Sequence, residues 1–106
     1  MNPIERIEAV MGLSIKYNAG LSKDGMYSIY SVATDNNKFL FDVRVDHDTK
    51  SIVIIYPDTT EAVTSGRAAM KTFLTESGVT YRPSADSVKV YLYPRLARFI
   101  ADYYVS

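Results

Sequence analysis

The sequence predicts an α+β domain: a predominantly antiparallel sheet of three to five strands with helices packed on one face, in the order α-β-β-β-α-(β)-β-α. Three observations predict this class. A capped apolar stripe at helical spacing opens the chain, three strand-like runs with polar turns follow, and a second capped helical segment comes next. The chain has 106 residues, of which 47% are hydrophobic and 23% are charged, so we expect one globular domain over residues 1–106.

The first helix is predicted from its capping residues. Asn2 can cap the N-terminus, Pro3 occupies the favoured first position, and Glu5 stands where a capping-box carboxylate would. An apolar stripe at helical spacing then consists of Ile4, Ile7, Met11 and Ile15. Because Gly12 weakens a helix interior, two ends are consistent with the pattern, one at Gly12 and one at Tyr17.

Three strands are predicted after this helix. Met26–Ala33 is rich in tyrosine and β-branched residues, and Lys38–Asp46 alternates between apolar and polar residues. Ser51–Tyr56 is nearly all apolar, which predicts a central strand or one covered on both faces. Because the turns between these runs are short and polar, we expect an antiparallel meander.

The second helix is predicted to begin near Asp58 and to run to Ser77. Asp58 followed by Glu61 is a capping signature, and Thr59 or Thr60 is an alternative cap. The glycine that follows Ser77 closes the helix.

The C-terminal segment fits two structures. Its apolar residues alternate up to Tyr93 as on a strand, but they also fit the spacing of a helix capped by Ser84. Inside a helix, Pro94 would remove a hydrogen bond and clash with the preceding turn, at a cost of about 3 kcal/mol. This cost favours a strand that ends near Pro94 and a helix over Arg95–Val105. A further short strand is predicted at Val79–Arg82.

No catalytic or metal-binding constellation is recognised in the sequence. The absence of cysteine excludes disulfides, thiolate zinc sites and cysteine nucleophiles. Asp42, Asp46, His47 and Asp48 come nearest to a metal or acid–base cluster, but a short Asp-rich run is typical of a hairpin turn. His47 is the only histidine, and the glycines are scattered singly rather than gathered in a phosphate-binding loop. The sequence therefore predicts no enzyme, no cofactor and no metal site.

The order helix, three antiparallel strands, helix over residues 2–78 is similar to that of double-stranded-RNA-binding domains, and FLFDVRVDHDTKSIVIIY resembles their central strands in length and alternation. The resemblance implies a shared layer architecture and makes nucleic-acid binding the alternative function, through the basic tail or the second helix. In that family the second helix opens with a lysine-rich phosphate-gripping motif, whereas TTEAVTSGRAAMK contains only Arg67 and Lys71 as basic residues. With 12 acidic and 12 basic residues, the chain also has no net charge to attract phosphates.

The tail is expected to divide between core and surface. Six apolar side chains are assigned to the core: Val88, Val90, Leu92, Leu96, Phe99 and Ile100. Six tyrosines and arginines are then predicted to point away from it and to bind a partner: Tyr91, Tyr93, Arg95, Arg98, Tyr103 and Tyr104. Tyrosine and arginine are enriched at protein interfaces because they bury a large area while keeping polar groups. The alternative is that these tyrosines pack their rings at the sheet edge and leave their hydroxyls in water.

From these features we expect a small non-enzymatic interaction protein that binds a protein partner as an adaptor, inhibitor or regulatory factor. Small binders of this kind are common among viral, phage and mobile-element accessory proteins. No apolar run approaches the length of a membrane span, and MNPIERIEAV lacks the basic-then-apolar order of a signal peptide. A cytoplasmic location without membrane contact is therefore expected.

Overall fold

The computed structural model describes residues 1–80 and 82–105. It shows an α+β architecture with the element order α1 (Pro3–Met11), β1 (Leu13–Tyr17), β2 (Tyr27–Thr34), β3 (Phe39–Asp46), β4 (Ile52–Ile55), α2 (Thr60–Glu76), α3 (Ala85–Ser87), a π-helical segment (Val88–Leu92) and α4 (Tyr93–Tyr104). The strands form one antiparallel sheet in the order β1-β2-β3-β4. The predicted fold class is confirmed.

The first helix begins as its capping residues predict. The Glu5 backbone N–H donates to Asn2 Oδ1 at 2.8 Å, and the Glu5 carboxylate accepts from the Asn2 backbone in return. The helix ends at Gly12, whose φ of 64° lies in the left-handed region that glycine adopts without strain. The alternative end at Tyr17 is wrong, because Leu13–Tyr17 is a strand. Ile15 is buried, but from β1 rather than from the helix.

The predicted meander is present, but its last strand lies in a different place from the one expected. β4 is the edge of the sheet and pairs only with β3 among the described strands. Its outer side chains, Val53 and Ile55, are 45% and 49% exposed, whereas Ile52 and Ile54 are half-buried on the helix side. The prediction of a central or doubly covered strand is therefore wrong. An all-apolar run is typical of a central strand, and here it forms an edge that is left half in solvent.

The core lies between the sheet and the helices on one of its faces. Val32 of β2 faces Phe41 of β3 in the register, and both are fully buried. The adjacent pair in the register, Ser31 and Asp42, points to the opposite, polar face of the sheet. There Ser31 Oγ donates to Asp42 Oδ1 at 2.7 Å. The helices contribute apolar side chains to the same core: Ile4, Met11, Ala69, Met70, Val88, Leu92, Leu96 and Ile100.

The second helix takes the alternative cap. Thr59 Oγ1 accepts from the Ala62 backbone N–H at 3.2 Å, and the helix runs to Glu76 with Ser77 as its C-cap. Asp58 is not the cap. It instead accepts a 2.6 Å hydrogen bond from Lys89 on the C-terminal segment.

The C-terminal segment is helical from Ala85 to Tyr104, and the predicted strand before Pro94 is wrong. A reciprocal Ser84–Ser87 capping box starts it. The turn before Pro94 widens into the π-helical segment, in which the Tyr93 N–H reaches back to the Val88 carbonyl. A wider turn relieves the crowding that a proline ring causes in a regular α-helix. Together, α3, the π-helical segment and α4 form one continuous element, the C-terminal helix.

Two exposure predictions change with this helix. A helical turn places Val88, Leu92 and Tyr93 on the core side, and turns Val90 and Tyr91 outward. Val90 is 60% exposed, so its assignment to the core is wrong, and Tyr93 is buried rather than outward. Phe99 is only partly buried against the core.

Two further predictions concern the rest of the chain. Of the short strand predicted over Val79–Arg82, the described residues Val79, Thr80 and Arg82 lie outside strands, and Tyr81 lies outside the described residues. No helix in the described part of the chain is both long and apolar enough to cross a membrane.

Candidate partner-binding surface

Three of the six predicted binding residues share one exposed face of the C-terminal helix. Tyr91, which is 55% exposed, lies with Arg95 and Arg98 around an open depression of about 480 Å³. Four more residues complete the lining of this depression: Val90, Pro94, Phe99 and Asp102. We call these seven residues the helix face.

The helix face repeats at the helical period. Val90, Pro94, Arg98 and Asp102 follow one another at intervals of four, which places them in a row along one side. In a tail that is helical throughout, this spacing identifies three of the four additional lining residues, Val90, Pro94 and Asp102, whereas Phe99 lies outside the row. The strand prediction concealed it, because a strand puts Val90 and Tyr91 on opposite sides.

The helix face is held rigidly because the opposite side of the same helix is core. Leu92, Leu96 and Ile100 are buried there, and Ala97 and Ala101 are buried beside them. Burying a large aliphatic side chain stabilises a fold by about 1.5–3 kcal/mol. The surface is therefore presented by a packed element rather than by a loop, so binding to it would require little ordering of the backbone.

Tyr93 is part of this anchorage and is not on the surface. It is only 3% exposed, and its ring stacks on Phe41 with centroids 4.2 Å apart. A Cβ atom at Gly66 of α2 would lie 2.6 Å from Tyr93 Oη, so the absence of a side chain at Gly66 leaves room for the hydroxyl. Burial, and secondarily Tyr56, raise the pKa of Tyr93 to about 12.

A polar clamp secures the start of the C-terminal helix. Lys89 Nζ donates to Asp58 Oδ1 at 2.6 Å and lies 5.0 Å from the ring centroid of Tyr56. The hydrogen bond with Asp58 is the main reason that the pKa of Lys89 is raised. The Tyr56 ring in turn lies 6.0 Å from that of Tyr93. The clamp ties the helix to the loop before α2 through exposed groups, so we expect it to orient the helix more than to stabilise it.

Tyr103 and Tyr104 lie away from the helix face. Tyr104 stacks on Tyr30 of β2 at 4.7 Å, and Tyr103 meets Tyr104 edge-on at 4.9 Å. Tyr17 contacts Tyr30 edge-on at 5.6 Å, which completes a row of four tyrosines at this end of the molecule. Burial is the main reason that the pKa of Tyr30 is raised, and the neighbouring Tyr104 is the next. Burial also raises the pKa of Tyr104, and Glu8 is the next cause. These two predicted residues thus match the edge-packing alternative, although their outer surfaces remain exposed.

The charges on the helix face are only partly neutralised. Arg98 Nη1 lies 4.0 Å from Asp102 Oδ1, four residues further along the helix. Arg95 forms no ion pair with any residue that the structure describes. The face therefore offers a guanidinium without an ion-pair partner among the described residues, in the same depression as the Tyr91 ring. Arginine and tyrosine are both common anchors in protein interfaces.

The hairpin that carries Asp46, His47 and Asp48 contains hydrogen bonds that hold its strands and turn in place. His47 Nε2 lies 2.8 Å from Ser28 Oγ on the neighbouring strand. Arg44 Nε donates to Asp46 Oδ1 at 3.0 Å and its guanidinium lies 4.1 Å from the ring centroid of Tyr27. Across the part of the chain that is described, no three His, Cys, Asp or Glu residues are placed to share a metal ion.

A second surface emerges only in the structure. Arg67 and Lys71 of α2 line an open depression of about 610 Å³ together with Arg82, from the connection to the C-terminal helix. The first two residues stand out in the sequence as the basic residues of the second helix, but no pattern links Arg82 to them. Within residues 1–80 and 82–105, none of these three cations forms an ion pair.

Comparisons of the chain with protein-family models, with curated proteins and with solved structures find no match. The order that resembles double-stranded-RNA-binding domains also differs by one strand, because β1 adds a fourth strand between the two helices. The function must therefore be argued from the surfaces themselves.

Proposed function

We propose that this protein works without catalysis, by binding a protein partner through the helix face. The observation that supports this best is the exposed face that combines Val90 and Tyr91 with Arg95 and Arg98, on a helix whose opposite side is core. Such a combination of apolar area with tyrosine and arginine is typical of the core of a protein interface.

The depression is wide enough to take an apolar group of a partner. It is open and lined by the apolar surfaces of Val90, Pro94 and Phe99, with Tyr91, the two arginines and Asp102 around it. An apolar side chain could enter the depression, while a carboxylate or carbonyl of the partner accepts from Arg95. The preferred partner on this reasoning presents an apolar anchor next to an acidic group.

The test is partner capture by a double variant. Tyr91→Ala with Arg98→Ala removes one aromatic and one charged anchor, and each anchor in an interface contributes about 2 kcal/mol or more. We expect the variant to lose all partners that the wild-type protein co-purifies from its native lysate, with a melting temperature unchanged to within about 2 °C. Both side chains are exposed, so the fold does not depend on them.

The matched control removes a tyrosine and an arginine from elsewhere on the surface. Tyr17→Ala with Arg6→Ala changes two exposed residues on β1 and α1. We expect the control to retain the partner. If the control loses the partner while Tyr91→Ala with Arg98→Ala keeps it, the working surface lies at the tyrosine row and the proposal is refuted.

Nucleic-acid binding is the second candidate, because Arg67, Lys71 and Arg82 line one depression whose described lining residues include no carboxylate. Three phosphate contacts would give a slope of about −2 to −3 in log affinity against log salt concentration. Titration of labelled duplex RNA, duplex DNA and single strands at low salt measures that slope. Since the chain has no net charge overall, we expect weak binding, and tight binding that Arg67→Ala abolishes would put this function first.

A further inference from the structure

The two edges of the sheet differ in how they are protected. At the β1 edge, the outward-pointing Ile15 N–H already donates to Glu8 Oε2 of α1 at 2.9 Å. At the β4 edge, no comparable bond covers the strand within the described part of the chain. The Asp46 N–H donates to the Ser51 carbonyl, so by the alternation of an antiparallel ladder Val53 and Ile55 bond to β3. The N–H and C=O groups of Ile52 and Ile54 then point away from the sheet, and no described residue bonds to them.

The β4 edge is short, at four residues, but it lacks the other features with which proteins discourage strand pairing. Edge strands are usually interrupted by a charged residue, a proline or a bulge. Ile52–Ile55 contains none of these, and its pairing with β3 is regular. Its outer side chains are apolar and half-exposed. The edge therefore presents unpaired backbone groups next to unprotected apolar side chains.

We propose that β4 pairs with β4 of a second copy of this chain, antiparallel about a two-fold axis through Val53, to form a continuous eight-stranded sheet. Among the registers that pair outward-pointing groups, this one makes the most hydrogen bonds within β4. Ile52 of each copy faces Ile54 of the other, which makes about four backbone hydrogen bonds. Val53 then faces its own counterpart across the axis as a non-hydrogen-bonded pair.

A second copy fits this edge because the strand is complementary to itself. In this register every close pair is apolar within the strand, and the nearest charged residue, Lys50, falls opposite Tyr56 of the other copy. No like charges meet among the paired residues 50–56. On the helix side, α4 packs against both β3 and β4, so the two copies of α4 lie in one layer on either side of the axis.

The dimer is expected to be weak. A pair of four-residue strands buries less than the roughly 1,200 Å² of a standard stable interface, so association should depend on concentration. The proposal does not rest on the helix face, because Tyr91 and Arg98 belong to a different element from β4.

Single cysteines test the register, because the chain has no native cysteine. Across a non-hydrogen-bonded antiparallel pair the Cα atoms lie about 4.5 Å apart, within the range for a disulfide. In Val53→Cys the two cysteines would face each other, whereas in the matched variant Ile55→Cys they would be about 14 Å apart. Both positions are half-exposed on the same face of the same strand, so both variants should fold.

We expect Val53→Cys to form a disulfide-linked dimer under mild oxidation at least ten times faster than Ile55→Cys. Sedimentation of the wild-type chain should show its mass doubling as concentration rises, and Val53→Lys should abolish this by placing two ammonium groups across the axis. Val10→Lys, on the helix that packs beside β1, is the control and should still dimerise. A wild-type chain that stays monomeric up to about 1 mM, or equal cross-linking of the two cysteine variants, would overturn the proposal.

Discussion

The substitution Gly66→Ala reports directly on the direction in which Tyr93 points. Gly66 lies inside α2 and is buried beneath the C-terminal helix. An alanine Cβ there would lie 2.6 Å from Tyr93 Oη and 3.0 Å from Val88 Cγ1. The tyrosine hydroxyl has little room to retreat, because its ring is stacked between the helix and Phe41 with 3% of its surface exposed.

Two opposing effects determine how far Gly66→Ala changes the free energy of unfolding. Replacing glycine by alanine inside a helix stabilises by about 1 kcal/mol through backbone entropy. Forcing an extra methyl group into a packed core costs about 1–3 kcal/mol, and a contact of 2.6 Å requires the ring to move. We expect the steric term to exceed the entropic one, with a net destabilisation of about 1 kcal/mol and a fall in melting temperature of about 4 °C.

The measurement is a double-mutant cycle with Tyr93→Phe, followed by urea denaturation. Removing the hydroxyl takes away the shortest contact, so Gly66→Ala in the Tyr93→Phe background should be neutral or stabilising, with a coupling free energy of about 1–2 kcal/mol. If Tyr93 instead pointed outward as on a strand, Gly66→Ala would stabilise the wild-type protein by about 1 kcal/mol, with no coupling. That result would refute the helical register of the tail.

Two further predictions concern the same helix. Burial raises the pKa of Tyr93 from 10.0 to about 12, so between these pH values the folded state keeps a proton that the unfolded chain loses. The free energy of unfolding should therefore be highest below pH 10 and fall as the pH rises towards 12. Tyr93→Phe should show a smaller fall in melting temperature over that range, and an equal fall would contradict the burial of the hydroxyl. Ser84→Ala removes the capping box and should cost about 1 kcal/mol in urea denaturation, whereas Ser77→Ala, at a C-cap, should cost less.

Local chemistry explains why much of the fold was predictable. The Asn2–Glu5 capping box involves groups three residues apart, and the glycine at position 12 ends the helix by its own backbone preference. The meander follows from alternation within Lys38–Asp46 and from short polar turns. Each of these features depends on residues that are neighbours in the chain, so no knowledge of distant contacts is needed.

The tail was misassigned because its local signals conflict. Both a strand period and a helical period fit Val88–Leu92, and the general cost of a proline in a helix favoured the strand. The structure avoids that cost by widening one turn, and Phe41 and Gly66 accept the Tyr93 ring on the core side. Both partners of Tyr93 are far from it in the chain, so no local pattern could reveal the contact.

Residue patterns were enough to establish the α+β class, the caps of the first helix, the sheet meander and the tyrosine–arginine content of the tail. Packing between distant elements decided that β4 is an edge, that Tyr93 is buried, and that Tyr91, Arg95 and Arg98 share a face while Tyr103 and Tyr104 do not. Periodicity states which residues lie on the same side of an element, whereas burial depends on what packs against that side. For the short apolar strand β4 and the proline-containing C-terminal helix, residues far away in the chain determine which side is buried.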